Sequence, residues 1–314
     1  MTLDNIKEEI EKANSIVILT HENPDGDAIG SSLAMYNALK SINKEVDVII
    51  PEYSNTFAFL PGAKEIIKET GKVYDLAIAV DAADEKRLNG WYKYFDEART
   101  TISIDHHGSN KMYADLNYVD PVSPACAQIL VVVLQFLNIS ITREIGTCLL
   151  TGIITDTGGF KYPGVNVETF EFAAGLLRMG VNVSDIYKRV LQVKTKPNFE
   201  LSRLVTNRLE FFEDGKIAFT YITKEDEQNV NAQTGDHEGL VEIGRDIEGV
   251  EVSIFIRETE KGFRASLRSN DKVNVSDVCI MFNGGGHPRA AGCNIQGTLE
   301  QAKQKIINQV KMYL

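Results

Sequence analysis

Ile16-Val17-Ile18-Leu19-Thr20-His21-Glu22-Asn23-Pro24-Asp25-Gly26-Asp27-Ala28-Ile29-Gly30 is the stretch on which the reading of the fold turns. Four consecutive apolar residues read as a strand buried on both faces. A polar, Gly- and Pro-containing turn follows. Residues 28–41 then carry apolar side chains at Ile29, Leu33, Tyr36 and Leu39, the spacing of a helix face. Working outward, residues 45–50, 76–80 and 101–104 are further strand candidates. Residues 125–137, 141–154 and 167–179 read as helices, the last closed by Gly180. Alternating elements with continuously apolar strands predict an α/β domain whose doubly wound, mainly parallel sheet is covered on both faces.

The pattern changes near residue 190. Residues 188–208 are polar and basic, helical in part with Pro197 interrupting, and read as a linker. Beyond them, residues 217–222, 250–257 and 263–268 are rich in β-branched and aromatic residues. A Gly-rich turn and a helix carrying Leu299, Ala302, Ile306, Ile307 and Val310 complete a smaller α+β domain. The predicted organisation is one domain over 1–187, a linker over 188–208 and a second domain over 209–314.

Composition narrows the function classes. The 314 residues carry 33 Lys plus Arg against 44 Asp plus Glu, a net charge of −11. Proteins that track long nucleic acids carry the opposite excess, because phosphates are met by basic side chains. A polyanionic substrate must therefore be short, or be met by bound metal ions. Four cysteines (Cys126, Cys148, Cys279, Cys293) form no C-x-x-C pair, which predicts reduced thiols, a cytoplasmic protein and no thiolate zinc site. The first twelve residues are too charged for a signal-peptide core, and the apolar run 127–137 is too short to span a bilayer, so no membrane association is expected.

Polar residues gather where the strands end. The first strand runs into His21, Asp25 and Asp27; the 76–80 run ends in Asp81; the 101–104 run ends in Asp105-His106-His107. In an open parallel sheet the carboxyl ends share one edge, and ligands bind in the crevice there. Asp156 follows the 141–154 helix, just before Gly158-Gly159. Of five histidines, His21, His106, His107 and His287 lie in these strand-end motifs or in the Gly-rich turn near residue 285, and the remaining one is His237. Taken singly, each motif has a plainer reading: Asp27 as the cap of the next helix, Asp81 as a turn former. An EF-hand is excluded, because from Asn23 the sixth position is Ala28 and the twelfth Ala34. Taken together, the set asks for two-metal hydrolysis. Mixed imidazole and carboxylate donors suit Mn²⁺ or a similar ion, and two ions about 3.5–4 Å apart clamp an in-line phosphoryl displacement. Asp25, Asp27, Asp81 and Asp156 together carry four negative charges that two divalent ions would neutralise, with Asp81 the candidate bridge.

A second motif, Asn283-Gly284-Gly285-Gly286-His287-Pro288-Arg289, is neither a dinucleotide fingerprint nor a P-loop. Its consecutive glycines would let backbone N–H groups approach an anion. Just upstream, Arg264, Ser266 and Arg268 alternate and so share one strand face. These residues are the candidate phosphate or nucleotide contacts.

With these residues in hand, the chain resembles the DHH/DHHA1 phosphoesterase family, in the branch of nano-RNases and 3′-phosphoadenosine-5′-phosphate phosphatases. The resemblance rests on His-Glu-Asn-Pro-Asp-Gly-Asp-Ala-Ile-Gly-Ser from His21, Asp81-Ala-Ala-Asp84 and Ile-Asp-His-His from Ile104. It continues through Gly-Ile-Ile-Thr-Asp-Thr-Gly from Gly152, Ser-Leu-Arg-Ser from Ser266 and Gly-Gly-Gly-His from Gly284. It implies that His21, Asp25 and Asp81 hold one Mn²⁺ and that Asp27, Asp81, His106 and Asp156 hold the other, with Mg²⁺ or Co²⁺ as alternative ions. It implies that His107 contacts the scissile phosphate, that Asp105 orients a histidine, and that Gly284, Gly285, Gly286, His287 and the arginines bind the nucleotide. It also implies that the 1–187 domain is catalytic, that the 209–314 domain binds substrate and that the active site lies in the cleft between them. Asn283 departs from relatives that carry a further Gly there.

The function so implied is hydrolysis of very short oligoribonucleotides and linear dinucleotides to 5′-mononucleotides, with removal of the 3′-phosphate of phosphoadenosine phosphate alongside. The alternative is a signalling phosphodiesterase for cyclic or linear diadenylate. Short oligoribonucleotides, dinucleotides and nucleoside bisphosphates are the expected partners and long nucleic acid is not; the sequence leaves the oligomeric state open, a homodimer being one option.

Overall fold

A computed structural model describes residues 3–162 and 164–314. The chain divides into two compact units, residues 1–193 and 194–314.

In the first unit, helix α1 (Leu3–Lys12) leads into β1 (Ser15–Leu19), α2 (Gly26–Ser41), β2 (Glu45–Ile49), β3 (Ile66–Ile67) and β4 (Leu76–Val80). Then come α3 (Tyr92–Asp96), β5 (Thr100–Asp105), β6 (Leu116–Val119), α4 (Cys126–Phe136), α5 (Arg143–Asp156), α6 (Val167–Arg178) and α7 (Val183–Tyr187). The six strands pair in parallel in the order β3-β2-β1-β4-β5-β6. The period of two along a strand explains the continuously apolar runs. Ile16 and Ile18 enter the large core beneath α1, α2, α4 and α5, whereas Val17 and Leu19 enter a second core with Leu88, Tyr94 and Phe95. Each such fully buried side chain is worth about 1.5–3 kcal/mol.

Helices α2 and α5 cross closely, and glycine permits it. A Cβ on Gly30 would lie 2.6 Å from the Cys148 carbonyl oxygen, and one on Gly152 would lie 2.6 Å from Asp27 Oδ1. This crossing brings the first turn of α2 beside the last turn of α5.

The second unit begins earlier than the sequence predicts. Residues 188–208 are not an open connector: Lys188–Gln192 form a π-helical turn, and α8 (Lys196–Asn207) packs Leu201 and Val205 into a core with Ile222, Leu240 and Phe255. Pro197 starts this helix rather than interrupting it, since proline is tolerated in the first turn, where no intrahelical N–H bond is lost. There follow β7 (Glu210–Phe212), β8 (Ile217–Ile222), α9 (Lys224–Val230), α10 (Glu242–Arg245), β9 (Val252–Thr259) and β10 (Gly262–Ser269). The unit ends with α11 (Val275–Ile280), β11 (Gly285–His287), β12 (Ala290–Ile295) and α12 (Leu299–Lys311). The sheet order is β11-β12-β10-β9-β8-β7, antiparallel except for the β8–β9 pair. Helices α11 and α12 bury one face, with Phe263, Ala265 and Leu267 pointing into that core. Among the described residues, no helix is long and apolar enough to cross a membrane.

Candidate metal centre

The strand order reverses direction between β1 and β4, and the crevice beyond their carboxyl ends is the binding position that this topology creates. His21 follows β1 and Asp81 follows β4, one on each side of that point. Asp105 ends β5 and is followed by His106 and His107, while Asp156 ends α5. Asp81 has φ +55°, a left-handed conformation uncommon outside glycine, and its N–H donates to the Ile104 carbonyl at 3.0 Å. Backbone held this way by its surroundings is typical of functional positions.

Asp25, not Asp27, caps α2: its Oδ1 accepts from the Asp27 and Ala28 N–H groups, each at 3.0 Å. Asp27 turns inward instead. Its Oδ2 accepts from the Cys126 N–H at 2.6 Å, and its Oδ1 accepts from the Ala127 N–H at 2.9 Å and from Ser31 Oγ at 3.1 Å.

Six side chains thereby converge. His21, Asp25 and Asp81 each place a donor atom within 4.8 Å of the others, and Asp27, His106 and Asp156 do the same. Asp81 faces both groups: Oδ2 lies 3.8 Å from His21 Nε2, and Oδ1 lies 3.4 Å from His106 Nε2. His106 Nε2 is also 3.4 Å from Asp156 Oδ2. The ring orientations are set from behind. His21 Nδ1 lies 2.8 Å from the Glu22 carbonyl and His106 Nδ1 lies 3.2 Å from the Ser123 carbonyl. A carbonyl only accepts, so Nδ1 carries a proton in both rings and Nε2 is the nitrogen turned toward the carboxylates. His107 is held differently: its Nδ1 is 2.7 Å from Asp105 Oδ1 and 3.6 Å from Asp81 Oδ1, and its ring crosses that of His106 at 69°. Asp105 is itself held by Asn110 Nδ2 at 2.7 Å and by the His106 N–H at 2.8 Å. The roles of Asn110, Ser123 and the Cys126 N–H have no signal in local spacing, because each acts across a turn or between elements, whereas Ser31 lies four residues after Asp27 on the same helix.

The electrostatics fit divalent cations. Asp81 Oδ1 is buried and accepts no hydrogen bond, an expensive state for a carboxylate without a cation. Burial and then the Asp81 charge push Asp27 up to about 7, and burial with the Asp27 charge holds Asp156 well above the usual carboxylate range. Burial also disfavours ionised Asp81, but the imidazoles of His106, His107 and His21 outweigh it and hold its carboxyl below the normal range. Burial likewise disfavours charged His106 and His107. Their acidic neighbours prevail, Asp81 foremost for His106 and Asp105 for His107, and both are raised. Protons thus take up part of the charge that a cation would compensate.

The second unit places the other candidate residues on and beside one sheet face. Arg264, Ser266 and Arg268 alternate with the buried Phe263, Ala265 and Leu267 on β10. Arg268 Nε donates to Glu242 Oε1 at 2.8 Å and its Nη1 to the Leu267 carbonyl at 3.1 Å. The glycine turn differs from expectation. Gly285, Gly286 and His287 form the edge strand β11, paired with β12, so glycine serves close backbone packing there. A Cβ on Gly284 would lie 2.3 Å from the Gly292 carbonyl oxygen. Arg289 is committed to its own loop, donating to the Asp271 carbonyl and, at 3.1 Å, to the Val273 carbonyl. A phosphate would have to compete with both carbonyls.

Comparison with known proteins agrees with this arrangement. Residues 15–153 match the DHH family, N-terminal domain, and residues 214–314 match the DHHA1 domain. The chain is 34% identical over 299 residues to the bifunctional oligoribonuclease and PAP phosphatase NrnA of Thermus thermophilus, covering 94% of this chain and 89% of that one. It is 24% identical over 290 residues to the protein of the same name from Bacillus subtilis, covering 90% of each. The crystal structure of an exopolyphosphatase-related protein from Bacteroides fragilis superimposes with a TM-score of 0.90 at 30% identity, over 99% of this chain and 96% of that one. With its parallel sheet in the order 3-2-1-4-5-6, its His and Asp cluster at the switch point and a DHHA1 domain after it, the chain belongs to the DHH/DHHA1 phosphoesterase family.

Proposed function

We propose that the chain is a two-metal phosphodiesterase that hydrolyses very short oligoribonucleotides to 5′-mononucleotides and also removes the 3′-phosphate of phosphoadenosine phosphate. The observation that carries this reading is Asp81, whose two oxygens face His21 on one side and His106 on the other. The substrate class is supported by the names of the relatives, a bifunctional oligoribonuclease and PAP phosphatase in both cases.

His21, Asp25 and Asp81 would hold one ion, and Asp27, Asp81, His106 and Asp156 would hold the other. Mn²⁺ matches this mixed imidazole–carboxylate set. When bound, the ions neutralise the aspartates and stabilise charge on the phosphate during in-line displacement. The remaining steps belong to the chain. Asp105 fixes His107 with its proton on Nδ1, and the charges of Asp105 and Asp81 favour the protonated ring. His107 then donates from Nε2 to a phosphate oxygen on which charge accumulates. Arg264, Ser266 and Arg268 of the second unit anchor the nucleotide. With a net charge of −11, added substrate length brings repulsion rather than further contacts.

The test is a product assay on Mn²⁺-loaded protein with RNA of two to about twenty nucleotides, linear and cyclic diadenylate, and phosphoadenosine phosphate. The expected kcat/KM is highest for the shortest RNAs and falls with length. Rates that rise steadily toward the 20-mer would refute the reading, and turnover confined to diadenylates would replace it with the signalling alternative.

A further inference from the structure

Glu22, between His21 and Asn23, is gripped at three points. Its N–H donates to the Arg87 carbonyl at 2.7 Å, its Oε2 accepts from Asn89 Nδ2 at 2.6 Å, and its own carbonyl accepts the His21 Nδ1 proton at 2.8 Å. Two of these partners come from the helical segment Glu85–Trp91, which begins four residues after Asp81. Within that segment Asn89 breaks the helical path with φ 44° and ψ −126°, and Asn23, next to Glu22, also has positive φ at 55°. Left-handed backbone on both sides of one contact indicates that the contact is imposed by the fold.

An imidazole oriented through Nδ1 is only as well placed as the carbonyl that accepts its proton. That carbonyl belongs to the peptide joining Glu22 to Asn23, and Arg87 and Asn89 set the position of Glu22. We propose that Asn89, acting through Glu22, is a positioning residue for His21 and sets the affinity of the ion that His21 helps to hold. The segment after β4 thus steadies the loop after β1, so both sides of the switch point are aligned by one contact. This inference rests on the reading of His21 as a ligand.

The test is titration of the chelator-stripped full chain with Mn²⁺, followed by calorimetry and by the electron paramagnetic resonance signal of free Mn²⁺. Asn89→Gly removes the amide while tolerating the same backbone angles, so it adds no strain. It should bind two ions, one of them about three- to tenfold more weakly than in the wild type, as expected for one lost hydrogen bond. The melting temperature of the stripped protein should be unchanged. Glu22→Ala should match Asn89→Gly, whereas Glu22→Gln, which keeps the acceptor oxygen, should bind as the wild type does. His21→Ala, as the reference, should lose one ion. If His21→Ala loses an ion but Asn89→Gly binds both at wild-type affinity, the positioning role is overturned while the ligand reading survives. If His21→Ala binds two ions normally, the ligand reading itself fails. Equal losses in Glu22→Gln and Glu22→Ala would assign the effect to charge rather than position and would also overturn the proposal.

Discussion

The carboxylate of Asp27 closes the N-terminus of helix α4, accepting the Cys126 N–H at 2.6 Å. Ala125, the residue that precedes the helix, offers no side-chain cap, so α2 supplies one across the interior. The positive end of the α4 dipole offsets part of the Asp27 charge and fixes its position.

Replacing this carboxylate separates cap from ligand. Asp27→Asn loses a charged metal donor but also relieves buried like-charge repulsion. The expected result is a folded protein with one ion fewer and a smaller rise in Tm on addition of Mn²⁺. Metal analysis that finds two ions, with a wild-type rise in Tm, would contradict the assignment.

Asp81→Ala is expected to abolish turnover, by at least about a thousandfold on the scale of lost electrostatic groups, because both ion sites lose the same residue. Circular dichroism should show the fold retained. Near-normal Mn²⁺-dependent hydrolysis would rule out a bridging role.

The adjacent histidines should separate by role. His106→Ala removes an Nε2 that faces Asp81 and Asp156 and should lower metal content. His107→Ala should retain both ions and lower kcat by about a hundredfold or more, the usual size of a positioned proton donor. Equal metal loss in both variants would disprove the division.

The raised carboxyl of Asp27, at about 7, and the raised Asp156, His106 and His107 all mean that the metal-free folded state binds more protons than the unfolded chain. Their contribution to stability is therefore present at low pH and is lost as pH rises through each raised folded value, about 7 for Asp27. The stripped protein should melt at a higher temperature at pH 5 than at pH 8. Mn²⁺ competes with these protons, so its affinity should fall as pH drops below about 7. A metal-free Tm higher at pH 8, or Mn²⁺ affinity independent of pH, would count against the arrangement.

Two arginines that look equivalent in sequence should behave differently. Arg289→Ala removes donors to the Asp271 and Val273 carbonyls and should lower stability by about 0.5–1.5 kcal/mol, since water can reach the exposed Asp271. Arg268→Ala should raise KM for a dinucleotide with little change in metal content, and it should also lower Tm because Glu242 and the Leu267 carbonyl lose their donor. A rise in KM for Arg289→Ala but not for Arg268→Ala would return Arg289 to the binding face.

Much of the first unit was legible because its strands are short apolar runs that end abruptly in His or Asp. The run before His21 and the run before Asp81 could hardly be other than buried strands, and an open parallel sheet brings their ends to one edge. The second unit was less legible. Helix α8 looked like a linker because only Leu201 and Val205 face its core in an otherwise polar segment. Arg289 looked like an anion ligand because its loop partners are backbone carbonyls at residues 271 and 273, which carry no side-chain signature. From the sequence alone came the residue types, the element order and the family resemblance, since periodicities of 2 and 3.6 report which face is buried. Tertiary structure alone decided that Asp27 turns from its own helix to cap α4, that Asp81 divides its oxygens between two histidines, and that Asn89 holds Glu22. Those contacts join residues far apart in the chain, and a local pattern records that a side chain is buried or polar but not which distant group it meets.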